Sequence, residues 1–504
     1  MQSFRETLLS REKFVVTLEL IPGRGPRGRG IDTILSFAEK AAESGLLGAI
    51  SLTDNPGGGP AMSPDLIGKE VRDAGVDVIV HFSAKDGNRN RLESRALSLD
   101  RMGLDNLLVM TGDYPIAADA GIGKPVFDLD STQLLAYLKR MNEGMPVPEK
   151  PDKPALTGPT AFFLGCVASS FKTTEPETMM QYYKLEKKIR VGAEYVICQL
   201  GYDTRKYEEM LAYMRENGLD IPVMGSVFYL RRGAARVMNR CEVPGCVVSD
   251  ELAAQIEKER EAPDKGKGAA IERAAQQIAI LKGLGFNGAH IEGFGLSFGD
   301  VETIIGRSKE LEANWQEHAE RIRFSPKNTF FLYGGNGNPP APRPPFRPRR
   351  SNIVFHTMRA VHYLIFRKKT PGFAFMRALS SWLDGHPLFL KLFYFSERAS
   401  KVLLFDCRDC GDCALPEMFY LCPESQCPKF QRVGPCGGGR DGRCEVYDDR
   451  FCVWYEIYLR AKRTGKLDEL RRFFIAPRDW DLHATSSWIN FYLDRDHTGG
   501  ETDG

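Results

Sequence analysis

Residues 14–53 read FVVTLELIPGRGPRGRGIDTILSFAEKAAESGLLGAISLT. A β-branched apolar run (14–20) gives way to a glycine- and arginine-rich turn. A segment with helical spacing of apolar residues follows (31–44), then a second β-rich run (48–53). This strand–helix–strand unit is the element from which parallel sheets are built. The alternation continues. Strand-like runs recur at 76–82, 106–111, 161–167, 194–200, 221–227 and 286–291, with helix-like segments such as 89–102, 177–191, 205–217 and 271–283 between them. Eight units in about 300 residues fit a (β/α)8 TIM barrel. An open doubly wound sheet is the alternative that the pattern leaves standing.

Composition narrows the class. The 504 residues suffice for two to four domains at roughly 150 residues each. A chain that is 42% hydrophobic and 27% charged is neither disordered nor fibrous. Lys plus Arg is 68 and Asp plus Glu 66, a net charge of +2, so no nucleic-acid partner is expected. Residues 1–13 are charged and lack the apolar core of a signal peptide. The richest apolar stretch, 354–366, is broken by His356, Arg359 and His362, short of the ~18 uninterrupted residues of a membrane span. A cytoplasmic protein without a membrane span is expected.

The alternating pattern fills residues 1–325. It is broken at 333–350, YGGNGNPPAPRPPFRPRR, where six prolines between Pro339 and Pro348 remove backbone donors and favour extended chain. A Pro/Arg-rich linker over 326–352 is expected. From 353 to 504 the sequence predicts a helical, cysteine-rich, metal-binding C-terminal domain. A mixed apolar and basic helical region (351–401) leads into a cysteine block, a short amphipathic helix (453–462) and an aromatic-rich tail (473–493).

Eight of the twelve cysteines lie in that block: Cys407-x2-Cys410-x2-Cys413, then Cys422, Cys427, Cys436, Cys444 and Cys452. Without a secretion signal, such a cluster points to metal rather than disulfides. Three thiolates at x2 spacing wrap one face of an iron–sulfur cube, and a distant fourth completes it. Pro423, Pro428 and Pro435 beside three of the cysteines, and Gly437 to Gly439 after Cys436, set tight turns. Eight thiolates suffice for two [4Fe–4S] clusters. Two tetrahedral zinc sites would use the same eight, and spacing does not divide the cysteines between sites.

The loop Gly23-Arg-Gly25-Pro-Arg-Gly28 formally matches G-x-G-x-x-G, with Asp54 at the end of the next strand as the ribose-binding acid of a dinucleotide fold. Pro26 removes an amide where a pyrophosphate needs donors, and Arg24, Arg27 and Arg29 make the turn long and polar. A βα loop at a barrel mouth is the expectation. A barrel carries its chemistry at the C-terminal ends of its strands, and the polar residues there are Glu19, Thr53, Asp54, His81, Asp113 and Gln199.

VTLELIP around Glu19, SLT at 51–53, VHF at 80–82, MTGDYP at 110–115, LEKKIRVGAEYVICQ at 185–199 and the following Asp203 resemble methylenetetrahydrofolate reductase, in order over roughly residues 10–300. LLFDCRDCGDCALPEMFYLCPESQCPK, GPCGGGRDGRCEV and CVWYEIYLRAK resemble its cysteine-rich C-terminal domain, which in some anaerobes is a separate subunit. The resemblance implies a flavin-bearing barrel, with FAD or FMN, that interconverts 5,10-methylene- and 5-methyltetrahydrofolate. Matched positions make Glu19 the general acid that opens the imidazolidine ring and Asp113 a carboxylate near flavin and pterin. Gln199 becomes a folate contact. Thr53, His81, Thr111, Gly112, Asp113 and Lys188 match flavin-binding positions. Thr111 stands where many members have arginine, Met238 where better-known members have an aromatic residue, and Leu200-Gly201 replaces an aromatic pair. These departures point away from direct NAD(P)H use. The expected route relays electrons through C-terminal clusters from ferredoxin or a partner subunit. The alternative keeps NAD(P)H as donor and makes the C-terminal domain a zinc-bound scaffold for a methyltransferase or electron-transfer protein. Folate, such a partner protein and further copies of the chain in an oligomer are the expected partners.

Overall fold

The eight strand-like runs close on themselves. The computed structural model describes residues 3–118, 121–146, 157–333, 352–447 and 449–499. The barrel strands are β1 (Val15–Leu20), β2 (Ala49–Leu52), β3 (Val78–Ser83), β4 (Asn106–Met110), β5 (Phe163–Ala168), β6 (Tyr195–Cys198), β7 (Val223–Phe228) and β8 (Gly288–Glu292). They pair in parallel in sequence order, and β1 pairs with β8. The closed sheet excludes the doubly wound alternative. A small antiparallel ribbon, Ala117–Ala118 with Gly121–Ile122, extends the loop after β4.

Every crossover carries a helix. After an N-terminal helix α1 (Phe4–Ser10) come α2 (Arg29–Ser44), α3 (Pro64–Asp73), α4 (Arg89–Met102), α5 (Ser131–Glu143), α6 (Glu175–Arg190) and α7 (Thr204–Glu216). Three helices, α8 (Arg232–Asn239), α9 (Asp250–Glu259) and α10 (Lys267–Leu284), share the connection from β7 to β8, and α11 (Phe298–Leu311) and α12 (Trp315–Arg321) follow. Side-chain caps set several starts, as where Asp130 and Gln133 form a capping box at α5. Alternation sets the faces: Val16, Leu18, Ile50, Leu52, Val80 and Phe82 pack outward in the core shared with the helices. Val15, Ala49, Ile79, Phe163, Tyr195 and Met224 point inward and form an apolar floor, plugged by Phe4 and Leu8 of α1. Gly165 is required there, because a Cβ would lie 2.1 Å from the Tyr195 ring.

The C-terminal region contains α13 (Asn352–Val361), α14 (Pro371–Asp384), α15 (Pro387–Phe405), the single turn α16 (Pro423–Gln426) and α17 (Val453–Arg463). No helix among the described residues is long and apolar enough to cross a membrane. Residues 334–351 of the expected linker lie outside the described residues. The stretch before them is laid on the barrel: the Phe330 amide donates to the Thr173 carbonyl at 2.9 Å, and Lys206 donates to the Phe330 carbonyl at 2.6 Å.

The cysteine block is docked on the barrel through α6. Met180 and Tyr183 of α6 share a buried core with Trp454, Ile457 and Tyr458 of α17. On the same helix, Lys184 Nζ donates to Gln431 Oε1 at 3.0 Å and to the carbonyls of Gly434 and Pro435 at 3.1 and 3.0 Å. Burial pushes the Lys184 amine below its ordinary range, with nearby Asp130 opposing the shift. Lys184→Met leaves the buried Gly434 and Pro435 carbonyls unmatched and removes one of the two donors to Gln431 Oε1. The variant is expected to lose about 2–3 kcal/mol, read as a lower urea midpoint of the full chain. An unchanged midpoint would show that the seam contributes nothing to stability.

Candidate active site at the barrel mouth

Above the apolar floor the barrel interior turns polar. Thr17 and Glu19 face inward from β1, two residues apart, as do Ser51 of β2, His81 of β3 and His290 of β8. Thr17 Oγ1 meets His290 Nδ1 at 2.7 Å, and Ser51 Oγ meets His81 Nε2 at 2.8 Å. Glu19 Oε2 lies 3.7 Å from His81 Nε2 and 3.7 Å from His290 Nε2. Burial pushes the Glu19 carboxyl up to about 7. Burial first, and the Glu19 charge second, do the same to Glu292. Burial, helped by the charges of His290 and Arg95, holds His81 down at about 3, and burial lowers His290. At neutral pH, then, two uncharged imidazoles flank a carboxyl that readily keeps or gives up a proton, with 20% of its side chain open to the mouth.

The other residues singled out in the sequence ring the rim unevenly. Asp113 Oδ2 accepts the Gly57 amide at 2.7 Å, which ties the loop after β4 to the loop after β2 and leaves Oδ1 for a ligand. Gly112, at φ +86°, makes that turn, and a Cβ there would strike Lys85 at 2.8 Å. Thr111 Oγ1 donates to Gln431 Oε1 at 3.0 Å, across the seam with the cysteine block. Gln199 Oε1 accepts the Leu200 amide at 2.9 Å. Its Nε2 faces Gly245, 3.4 Å from the position a Cβ would take. Lys188 is buried, donates to the Val167 carbonyl at 2.7 Å and is pushed down to about 8 by burial. Asp54 is committed elsewhere: its Oδ2 accepts from Ser83 Oγ at 2.8 Å and Arg95 at 2.7 Å. Met238 and Leu200 lie in a buried apolar cluster with Tyr202 and Phe228. Thr53 Oγ1, Ser169 Oγ, Ser170 Oγ and His290 Nε2 are buried without a hydrogen-bond partner among the described residues. Orphaned polar atoms of this kind fit a polar ligand seated in the mouth.

The eight cysteines fall into two sets of four. Cys407, Cys410, Cys413 and Cys422 line one cavity, with α15 as its wall. Cys427, Cys436, Cys444 and Cys452 line another. The boundary is α16, whose N-cap is Cys422 and whose C-cap is Cys427, so one turn of helix hands the chain from the first site to the second. Burial pushes Cys422 and Cys427 up to about 12 and Cys436 to about 11. Such thiols ionise only with help from a metal or a neighbouring cation. Backbone amides of Asp409 and Val446 point at the sulfurs of Cys407 and Cys444, at 3.4 and 3.5 Å. Among the described residues, no three cysteine sulfurs lie within 4.8 Å of one another.

The second site forms part of the rim itself. Gln181 donates to the Cys436 carbonyl at 2.8 Å, Lys172 to the Gly439 carbonyl at 2.7 Å, and Lys429 to the Gly112 carbonyl at 2.8 Å. Gly437 brings its Cα close to Ser169, whose Oγ is 3.6 Å from where a Cβ would stand. Residue-by-residue reading of the sequence passed over Thr17, Ser51, His290 and Glu292, and the α6 side chains Gln181 and Lys184. For the strand residues a signal exists: in GAHIE, the period of two places His290 and Glu292 on one face.

Comparison with known proteins adds the following. The family model described as "Methylenetetrahydrofolate reductase" matches residues 4–297, and the model described as "Methylene-tetrahydrofolate reductase C terminal" matches residues 387–481. A search of curated protein sequences finds no match. Among solved structures, the chain is similar to an uncharacterized protein from Clostridium thermocellum described as binding two copies of 5-methyl-5,6,7,8-tetrahydrofolic acid. The identity is 14%, the coverage 61% of this chain and 98% of that one, and the TM-score 0.41.

Proposed function

Because the chain belongs to the methylenetetrahydrofolate reductase family, we propose that it is a flavin-dependent reductase interconverting 5,10-methylene- and 5-methyltetrahydrofolate, with electrons supplied through the cysteine domain. The observation that carries the electron route is the seam. A four-cysteine site is built into the rim of the barrel mouth, with the Cys436 carbonyl held by α6 and Gly437 against Ser169.

The cysteine geometry supports clusters over zinc. Four thiolates at about 2.3 Å around one zinc would stand roughly 3.8 Å apart, closer than any three sulfurs approach here. A cube gives each thiolate its own iron and holds the sulfurs further apart. On this reading Thr53, Thr111, Gly112, Asp113, Ser169 and Ser170 would hold a flavin, and each cysteine set would hold a cluster. When bound, the flavin supplies hydride transfer to or from the folate carbon, and the clusters supply one-electron steps.

The chain's own part is positioning and proton transfer. Glu19, protonated near neutral pH, gives its proton to the ring nitrogen that leaves the methylene carbon. The C–N bond breaks, and the iminium left on the other nitrogen can accept a hydride. Neutral His81 and His290 neither compete for the proton nor stabilise the Glu19 anion before the substrate arrives. Asp113, with Oδ1 open, accepts from the amino-pyrimidine edge of the pterin, and Gln199 offers its amide nitrogen to the folate.

One observation favours the NAD(P)H alternative: Phe294 is exposed just past β8, edge-on to Phe228 at 5.9 Å, an aromatic platform of the kind a nicotinamide stacks on. The test is composition and donor together. The anaerobically purified chain is expected to hold about eight iron and eight sulfide with one flavin, and to reduce methylenetetrahydrofolate with reduced viologen. About two zinc per chain, with turnover on NADH, would overturn the electron route and leave a reductase on a scaffold.

A further inference from the structure

α15 separates the first cysteine site from solvent. Its inner face supplies Tyr394, Glu397, Arg398 and Lys401 to the cavity that Cys407, Cys410, Cys413 and Cys422 line. Its outer face carries Leu388, Leu392, Phe395 and Val402, between 45% and 77% exposed. With Ala399 between the last two, they follow one another at steps of four, three, four and three residues. That is the a/d rhythm of a helix seam made for another helix or ridge. A contiguous apolar stripe on a helix whose other face is already buried marks a contact surface.

The surrounding charge selects the partner. Residues 352–401 contain eight Lys and Arg against two acids, a net +6 in a chain whose total is +2. Both acids are paired, Asp384 with Arg495 at 2.6 Å and Glu397 with Lys401 at 2.9 Å, and so are Arg377 with Asp494 at 2.8 Å and Arg398 with Asp409 at 3.0 Å; the remaining bases are Lys391 and the four at 359–369. A second copy would meet this segment's excess of positive charge with its own. The 334–351 segment holds four arginines, no acid and a single phenylalanine, so it complements neither the charge nor the stripe. A partner on this face stands one helix, about 10 Å, from the first cysteine site.

We propose that the outer face of α15 docks an acidic one-electron carrier protein. Its apolar ridge packs along 388–402, and its carboxylates face Lys391. The inference rests on the electron-supply reading above. Each docking delivers one electron and releases an oxidised carrier, so two dockings and two protons accompany each methylene group reduced to methyl.

The test uses the full chain, purified without oxygen and loaded with metal and flavin. The probe is a purified acidic [4Fe–4S] ferredoxin. The parent is expected to bind it with an affinity that falls steeply as salt is raised. Leu392→Glu is expected to weaken binding about 30-fold, the scale of one lost anchor residue, and Lys391→Glu to weaken it less and to flatten the salt dependence. Iron content and viologen-driven folate reduction should match the parent in both variants. The proposal is overturned if the parent does not bind ferredoxin or if Leu392→Glu binds it as the parent does. It is equally overturned if Leu392→Glu instead abolishes binding to phosphatidylserine vesicles or turns a dimer into a monomer while ferredoxin binding is unchanged. Failure of the underlying reading looks different: a parent with full iron and flavin that cannot reduce methylenetetrahydrofolate even with viologen.

Discussion

Glu19→Gln is expected to lower folate turnover by about 10²–10⁴-fold, the range of a lost general acid, while flavin content stays at the parent level. The amide keeps the size and polarity of the side chain between His81 and His290 but has no proton to give. The pH profile is the sharper readout. Burial places the folded-state carboxyl at about 7, so the protonated fraction is nearly complete below pH 6 and falls tenfold per unit above 7. Methylenetetrahydrofolate reduction should therefore decline on the alkaline side, and methyltetrahydrofolate oxidation, which needs the ionised form, should decline on the acid side. In Glu19→Gln both limbs should vanish along with most of the rate. A variant with unaltered rate and profile would remove Glu19 from the mechanism and shift attention to Glu292, the other inward carboxyl raised to about 7.

The second large effect concerns the division of the cysteines. Cys410→Ser and Cys436→Ser should each reduce iron from about eight to about four per chain, because each breaks one of the two sets. The informative variants are double. Cys410→Ser with Cys422→Ser should lose no more iron than Cys410→Ser alone. Cys422→Ser with Cys427→Ser should lose nearly all of it, although these two are the closer pair in sequence. Equal losses for the two doubles would reject the division across α16. Turnover should separate the sites further: a first-site variant should retain part of its viologen-driven rate, whereas a second-site variant damages the rim of the mouth as well.

The barrel was legible because alternation is local. A period of two in 14–20 and 48–53, and a helical period between them, each follow from backbone geometry within a few residues, and the closed pairing of β1 with β8 merely completes it. Glu19 was legible as a lone carboxylate at a strand end. Its setting was not: Thr17 and His290 are 273 residues apart and meet only because the barrel closes. The glycine-rich loop shows the opposite failure of a linear motif. Asp54, the acid that would complete the dinucleotide fingerprint, is consumed by Arg95 and Ser83, partners that no spacing rule names. The division of the cysteines was hidden for a related reason. Only the four residues of α16 separate Cys422 from Cys427, but that helical turn, capped at both ends by the two cysteines, directs them into different cavities. The docking through Lys184 was hidden because a lysine on a helix ordinarily faces water, and here its acceptors come from a segment some 250 residues downstream.

The seam has a bearing on how the molecule fails. Residues 431–439 cradle Cys436 and at the same time finish the wall against which Thr111, Lys184 and Ser169 rest. On the proposed reading, loss of a cluster from the second site would loosen this wall at the same time, so flavin retention and iron content are expected to fall together in a second-site variant.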